Sequence, residues 1–254
     1  MTNKVEQQTY QRVALVSGGM GGIGTAICQK LALSGMKVVT TYHKTGDYAQ
    51  DWQDKQAHLG YAIDKIYLDI GNPQSCTEAV EALLQRYEKI DILVNNAGIT
   101  RDKLCHKMAV EDWQDVIAVN LNSVFYLTKP VLDGMIQQNY GRIINISSIN
   151  AQKGQRGQVN YSAAKAGMHG FTKALAQEVA GKCITVNTIS PGYINTPMVM
   201  SVREEVRNSI IAQIPVGRLG EPKEVARVVA FLADDESAFI TGANIAINGG
   251  QHLS

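Results

Sequence analysis

Short stretches of consecutive apolar residues, many of them β-branched, alternate along the chain with longer segments whose apolar residues recur every three or four positions. In residues 76–87 the recurring positions form the stripe of an amphipathic helix, made of Ala79, Val80, Leu83, Leu84 and Tyr87. Consecutive apolar residues are typical of strands that are buried on both faces of a parallel sheet. Strands are predicted at residues 12–17, 37–41, 65–68, 91–94, 142–146, 185–189 and 244–247.

This alternation predicts an α/β fold, a Rossmann-type, doubly wound parallel sheet of about seven strands with helices on both faces. No linker rich in proline, glycine or serine, no charge run and no internal repeat divides the chain. We therefore expect a single domain over residues 1–254.

The composition excludes several classes of protein. Lysine and arginine number 24 against 23 acidic residues, whereas a nucleic-acid binder needs a clustered basic excess. The four cysteines lie far apart, which predicts free thiols in a reducing cytoplasm, and the five histidines lack metal-ligand spacing, which predicts no metal site. Because no run of about 18 apolar residues occurs, we also expect no contact with a membrane.

A glycine-rich turn follows the first predicted strand. Glycines at positions 18, 22 and 24 allow a tight turn, close approach of the backbone to a pyrophosphate and close packing of the next helix. The N-terminus of that helix supplies N–H donors and the positive end of a dipole. A flexible loop would also be rich in glycine, but the position between strand and helix favours a dinucleotide site.

The end of the second predicted strand indicates which dinucleotide is bound. Enzymes that use NAD commonly place a carboxylate there to hold the ribose hydroxyls. This chain has no acid before Asp47, whereas Lys44 and also His43 could face a ribose 2′-phosphate. The sequence therefore favours NADPH over NADH, unless Lys44 is only a solvated lysine of the loop.

A tyrosine and a lysine at helical i, i+4 spacing, Tyr161 and Lys165, form the candidate catalytic pair. Ser148 lies thirteen residues before Tyr161, directly after a predicted strand. Tyr61 and Lys65 have the same spacing, but that pair leads into a strand and has no such serine, so we interpret it as a chance match.

These residues suit the reduction of a ketone, which produces an alkoxide that needs a proton. Tyr161 is the candidate acid, and we expect its pKa to be lowered by Lys165 and by an oxidised nicotinamide. Ser148 can donate a hydrogen bond to the same oxygen, an effect of about 2–4 kcal/mol at comparable sites.

The order of these motifs resembles the short-chain dehydrogenase/reductase family over nearly the whole chain. The matching features are the glycine turn, residues 95–98, Asn120, Ser148, the Tyr161/Lys165 pair and residues 191–192. Ser17 stands where threonine is more usual, and both residues carry a hydroxyl. The resemblance implies that Asn120 holds a water that relays protons to Lys165, although a buried amide bonded to backbone is an alternative for Asn120.

The resemblance also implies which residues bind the nicotinamide cofactor. They are Gly18, Met20, Gly21, Gly22, Ile23, Gly24, Lys44, Asp69, Ile70, Asn96, Ala97, Gly98, Ile99, Thr100, Tyr161, Lys165, Pro191, Gly192, Tyr193 and Ile194.

Within the family the chain is most similar to enzymes that reduce acetoacetyl-CoA to (R)-3-hydroxybutyryl-CoA for poly(3-hydroxybutyrate) synthesis. Enzymes that reduce 3-oxoacyl groups on acyl carrier protein are the next most similar, and a catalytically silent dinucleotide-binding regulator is a third possibility. The similarity implies a substrate site made of Asp102, Ser148, Asn150, Gln155, Arg156, Gly157, Gln158, Tyr193 and Arg203.

Local charge favours coenzyme A over the carrier protein. An acidic carrier protein needs a basic surface beside the active site, and residues 137–140 are uncharged. The phosphates of coenzyme A need only a few cations, and Lys153, Arg156 and Arg203 are available, although each could be an ordinary solvated charge.

The segment around residues 197–220 is a long connection before the last predicted helix and strand, which is typical of a substrate lid. Its apolar residues Met198, Val199, Met200 and Ile211 could equally pack in the core. The resemblance implies a homotetramer. Residues 163–167 and the stripe of Val116, Val119, Val124 and Leu127 are compatible with subunit contacts and equally with packing on the sheet.

Overall fold

A computed structural model describes residues 11–43 and 46–253. Seven strands of the described residues form one parallel sheet in the order β3-β2-β1-β4-β5-β6-β7. They are β1 Val13–Val16, β2 Lys37–Tyr42, β3 Ile63–Tyr67, β4 Ile92–Asn95, β5 Gly141–Ile146, β6 Ile184–Pro191 and β7 Asn244–Ile247. The predicted doubly wound parallel sheet is confirmed.

Five of the seven strands, namely β1, β2, β3, β5 and β6, differ in length from the prediction by one to three residues. β3 begins at Ile63 rather than at residue 65, because the carboxylate of Asp64 is neutralised by Lys37 of β2 at 2.8 Å. β6 extends to Pro191, and every one of its residues is buried.

Helices cover both faces of the sheet. They are α1 Gly22–Leu33, α2 Tyr48–His58, α3 Pro73–Tyr87, α4 Val110–Ile117, α5 Ser123–Gln137, α6 Asn150–Lys153, α7 Val159–Val179, α8 Pro197–Met200, α9 Glu204–Ala212 and α10 Pro222–Ala233. A π-helical turn, Ala118–Asn122, joins α4 to α5, and short 3₁₀ turns lie at Cys105–Lys107, Ala180–Lys182 and Asp235–Ser237. None of the helices within the described residues is long and apolar enough to cross a bilayer.

The strands are apolar at consecutive positions because each face of the sheet has its own core. In β1, Ala14 and Val16 pack on the face covered by α1 and α10, whereas Leu15 packs on the face covered by α3, α5 and α7. Each fully buried side chain of this kind stabilises the fold by about 1.5–3 kcal/mol.

A buried polar series runs across the central strands on the face covered by α5 and α7. Asn95, Asn145 and Thr188 are aligned on β4, β5 and β6. The Asn95 amide donates to Asn145 at 2.8 Å, and the Asn145 amide donates to Thr172 of α7 at 2.8 Å. Thr172 and Thr188 share a further hydrogen bond of 2.7 Å. The series fixes α7 against the sheet through directional bonds.

Replacing Asn145 with leucine removes the centre of this series. The amide of Asn95 and the hydroxyl of Thr172 then lose the hydrogen bonds that Asn145 makes with them. We expect Asn145→Leu to lower the free energy of unfolding by about 1–3 kcal/mol, the penalty for unsatisfied buried groups. Chemical denaturation measures this change, with Asn208→Leu on the exposed surface of α9 as the control. Equal midpoints for the two variants would contradict a stabilising role for the series.

Candidate active site

The glycine-rich turn after β1 lies at the point where the strand order reverses between β1 and β4. A Cβ atom on Gly18, whose φ is +64°, would lie 2.9 Å from Ala97 Cα, and one on Gly24 would lie 2.3 Å from Gly18 O. The backbone is therefore too closely packed for side chains here. The turn leads into the N-terminus of α1, which fits a pyrophosphate.

Ser17 and Asn96 connect the turn to the end of β4. The Ser17 hydroxyl accepts hydrogen bonds from the backbone N–H groups of Asn96 and Ala97 at 3.0 and 3.1 Å. The Asn96 side chain donates to the carbonyls of Ser17 and Gly18. Serine thus supplies the hydroxyl that the usual threonine would supply.

A cavity of about 810 Å³ extends along this edge of the sheet. Most of the predicted cofactor residues line it, namely Gly18, Met20, Gly21, Gly22, Ile23, Gly24, Asp69, Ile70, Asn96, Ala97, Gly98, Ile99, Thr100, Tyr161, Lys165, Pro191 and Gly192. Its volume and its glycine-lined end fit a dinucleotide.

Three predicted cofactor residues are not among this lining. Lys44 lies outside the described residues. Tyr193 and Ile194 line a separate cavity of about 120 Å³, and Ile194 is buried in the core. Ile194 is aligned with Gly220 in a parallel bridge, whose hydrogen bonds are made by the carbonyl of Tyr193 and the N–H of Asn195.

The sequence analysis missed several lining residues: Thr41, Tyr42, Tyr48, Val119, Ile146, Ser147 and Thr196. Thr41 and Tyr42 end β2, and the rule that ligands bind at the carboxyl ends of parallel strands would have found them.

Ser148, Tyr161 and Lys165 lie together at the cavity. Ser148 follows β5 and is buried, and Tyr161 and Lys165 are in the first turns of α7. Burial raises the pKa of Tyr161, a hydrogen bond from Ser148 lowers it, and the nearby Asp102 and Tyr193 raise it. The net shift is upward, opposite to the expected lowering, because the protein's own groups around the phenol disfavour the phenolate.

Lys165 is buried, and its Nζ donates to the Ile146 carbonyl at 2.7 Å. The same Nζ atom lies 5.8 Å from the centre of the Tyr161 ring. No ion pair of Lys165 is found within residues 11–43 and 46–253. Burial therefore lowers the pKa of Lys165 to about 7. An amine with this pKa is charged only part of the time at neutral pH, and it readily gains and loses a proton there.

Asn120 is buried in the π-helical turn. Its side chain accepts from the Ile99 N–H and donates to the Ile99 carbonyl, both at 2.8 Å. The side chain of Asn120 is therefore bonded to backbone, which is the alternative that the sequence left open for it. A Cβ atom on Gly98 would lie 3.0 Å from Asn120 Oδ1 and 3.5 Å from Lys165 Nζ, so Gly98 separates the two groups.

Three predicted substrate residues form a hydrogen-bonded series that ends at Ser148. Gln158 donates to Asp102 at 2.7 Å, and Asn150 donates to Gln158 at 2.9 Å. The N–H of Asn150 donates to Ser148 Oγ at 3.1 Å. Burial raises the pKa of Tyr193, and the nearby Asp102 raises it further.

Of the other predicted substrate residues, Gln155 contacts this series through its carbonyl, which accepts from the N–H of Gln158 at 3.0 Å. Gln155 accepts from Lys153 at 3.4 Å, Gly157 accepts from the N–H of Lys103, and Arg156 is exposed. Arg203 is exposed directly before α9 and does not line the large cavity.

The fold and this site define an oxidoreductase that uses a nicotinamide dinucleotide. A family model described as "Enoyl-(Acyl carrier protein) reductase" matches residues 18–252. The chain belongs to this family, within the short-chain dehydrogenases/reductases that the sequence resembles.

Curated relatives match nearly the full chain. An acetoacetyl-CoA reductase of Allochromatium vinosum is 53% identical over 94% of this chain and 98% of its own length. One of Cupriavidus necator is 51% identical over 96% and 99%. A 3-oxoacyl-[acyl-carrier-protein] reductase of Vibrio cholerae is 46% identical over 95% and 98%.

The lowered pKa of Lys165 makes stability depend on pH. The unfolded chain binds this proton up to its ordinary pKa of 10.5, and the folded chain releases it near 7, so the group destabilises the fold fully below pH 7. We expect the unfolding free energy of the wild type, relative to Lys165→Met, to rise between these values by up to about 1.4 kcal/mol per pH unit.

Denaturation of both proteins across this pH range measures the effect. Lys30→Met, at an exposed position of α1, is the matched control and should follow the wild-type profile. A constant difference between wild type and Lys165→Met would show that the buried amine stays charged throughout.

Proposed function

We propose that the protein reduces acetoacetyl-CoA to (R)-3-hydroxybutyryl-CoA with NADPH, for poly(3-hydroxybutyrate) synthesis. The observation that carries the proposal is the convergence of Ser148, Tyr161 and Lys165 on one cavity, beside the series that begins at Asp102. The names of the two acetoacetyl-CoA reductases reported above support the choice of thioester.

The raised pKa of Tyr161 suits the reductive direction. A phenol that stays protonated can donate its proton when the carbonyl oxygen becomes an alkoxide. A nicotinamide dinucleotide held along the glycine-rich turn and the other residues that line the large cavity would supply the hydride for the carbonyl carbon. Ser148 stabilises the developing negative charge by donating a hydrogen bond to the same oxygen. Lys165, with a pKa of about 7, returns a proton toward Tyr161. We propose that a water held near Asn120 links Lys165 to solvent.

The preference for NADPH rests on the end of β2. There the cavity is lined by Tyr42, His43 and Tyr48, and Asp69 is the one carboxylate of the described residues that lines it. A carboxylate that would repel a 2′-phosphate is therefore missing from the described part of this strand end. Lys44, next in sequence, would supply the opposing charge.

The 3-oxoacyl-[acyl-carrier-protein] substrate is the second candidate. Two relatives that carry this name are 45–46% identical to the chain, against 51–54% for four acetoacetyl-CoA reductases and 45% for a fifth. Lys153 and Arg156 are exposed between Asn150 and Gln158 in sequence and suit the phosphates of coenzyme A. We place the acyl-CoA first on these grounds.

We propose that residues 197–220 act as a lid within a single domain. Thr196 and Met198 line the large cavity, and Met198 and Met200 are exposed apolar side chains on α8. A Cβ atom on Gly22 would lie 2.9 Å from Thr196 Cγ2, so the lid begins against the glycine-rich turn.

We also propose a cytoplasmic homotetramer. Trp113 of α4 and Phe125 of α5 are exposed, as are Phe239 and Leu253 near the C-terminus, and association would bury these apolar groups. The four cysteines are unpaired thiols, which suits a reducing compartment. Light scattering in solution measures the subunit number, and a monomer at micromolar concentration would contradict the tetramer.

A substrate panel tests the proposed reaction. We expect kcat/KM to be highest for acetoacetyl-CoA with NADPH, lower for longer 3-oxoacyl-CoAs, and lower again for a 3-oxoacyl carrier protein or for NADH. Cofactor absorbance gives the rates, and chiral analysis of the product should find the (R) alcohol. Faster turnover of the carrier-protein thioester would favour the second candidate, and no turnover of any thioester would favour the silent regulator.

Tyr161→Phe tests the acid. Losing one phenolic proton should lower kcat by about 10²–10⁴-fold, because proton donation contributes that much, while NADPH binding stays nearly intact. Tyr61→Phe is the matched control, since Tyr61 has a lysine at the same spacing but packs against the core. Fluorescence titration separates NADPH binding from turnover. A Tyr161→Phe enzyme with the wild-type rate would refute the assignment.

A further inference from the structure

His169 lies one helical turn beyond Lys165 on α7 and is half-buried against the sheet. Its Nε2 is 3.0 Å from Ser147 Oγ and 3.3 Å from Ser190 Oγ. Neither serine nor the histidine has a role in the reaction described above.

The hydroxyl protons of both serines are already used. Ser147 donates to the Lys165 carbonyl at 2.9 Å, and Ser190 donates to Asn244 Oδ1 at 2.7 Å. A hydroxyl has one proton, so toward His169 each serine can only accept. The Nε2 atom must therefore carry a proton and share it between the two oxygens.

The environment of the ring also favours its neutral form. Burial lowers the pKa of His169, and the nearby Lys173 lowers it further. The arrangement thus selects the neutral tautomer with its proton on Nε2, a fixed donor on the side of α7 that faces the sheet.

The bonded groups belong to three segments of the active site. Ser147 lines the cavity and precedes Ser148, Ser190 precedes Pro191 and Gly192 of the cofactor region, and the Lys165 carbonyl belongs to the catalytic helix. We propose that His169 is a positioning residue, whose Nε2–H group holds these two strand ends and the helix in catalytic register. The kinetic part of this proposal rests on the proposed reduction.

The tautomer provides a test that does not depend on activity. In protein labelled with ¹⁵N-histidine, NMR distinguishes a proton on Nε2 from one on Nδ1, and the signal missing from His169→Gln assigns the residue. We expect the neutral Nε2–H form at pH 7. A neutral Nδ1–H form, or a charged ring, would overturn the proposal.

Two substitutions provide the kinetic test. His169→Gln keeps an N–H donor at a similar reach, whereas His169→Phe keeps the ring and removes the donor. We expect His169→Phe to lower kcat about tenfold with a smaller change in the KM for acetoacetyl-CoA, because misplacing reacting groups reduces turnover. His169→Gln should recover most of the loss, and the two thermal midpoints should be similar.

His58→Phe, at an exposed position of α2, is the control for introducing phenylalanine and should keep the wild-type rate. Wild-type kcat in His169→Phe would overturn the proposal. The proposal would also be overturned if His169→Gln and His169→Phe lost the same amount of kcat and the same amount of thermal midpoint, because that result indicates a packing role alone. A wild type inactive on acetoacetyl-CoA would refute the proposed function instead, and the tautomer would still decide this proposal.

Discussion

A parallel sheet with helices on both faces leaves only its strand ends for chemistry, and the site follows from this constraint. The strands bury both faces, so polar groups that must meet a ligand lie just beyond the carboxyl ends. The glycine-rich turn follows β1, the Asn96 segment follows β4, and Ser148 follows β5. The helix α7 then brings Tyr161 and Lys165 back over the same edge, held by the buried bonds between Asn145 and Thr172.

Burial without opposing charge sets the chemistry of the site. Lys165 is held by a carbonyl rather than by a carboxylate, so its ammonium form is disfavoured and its pKa moves toward neutrality. The phenol of Tyr161 is held in its neutral form by the same lack of compensating charge. The phenol therefore stays protonated and can act as the donor, whereas Lys165 exchanges its proton near neutral pH and can resupply it.

Local pattern predicted the sheet well because each strand must be apolar on two faces. It misplaced the start of β3, where the charge of Asp64 is cancelled by a neighbour on another strand. The order and spacing of the sequence motifs identified Ser148, Tyr161 and Lys165, since these residues lie on consecutive segments at one edge of the sheet. The direction of the Tyr161 shift and the pairing of Asn120 with Ile99 depend on burial and on long-range contacts, which spacing does not contain. The resemblance implied a cofactor role for Ile194, which stays a prediction, and burial of its side chain in the core is a long-range property that sequence order does not contain.

The contact between Gly22 and Thr196 makes two distant parts of the chain share one volume. A larger side chain at position 22 needs space that Thr196 occupies, because the turn is also confined by the backbone at Gly18 and Ala97. Redesigning the lid for bulkier acyl groups is therefore not independent of the dinucleotide. A side chain at position 22 requires a smaller residue at position 196, so the turn and the start of the lid have to be changed together.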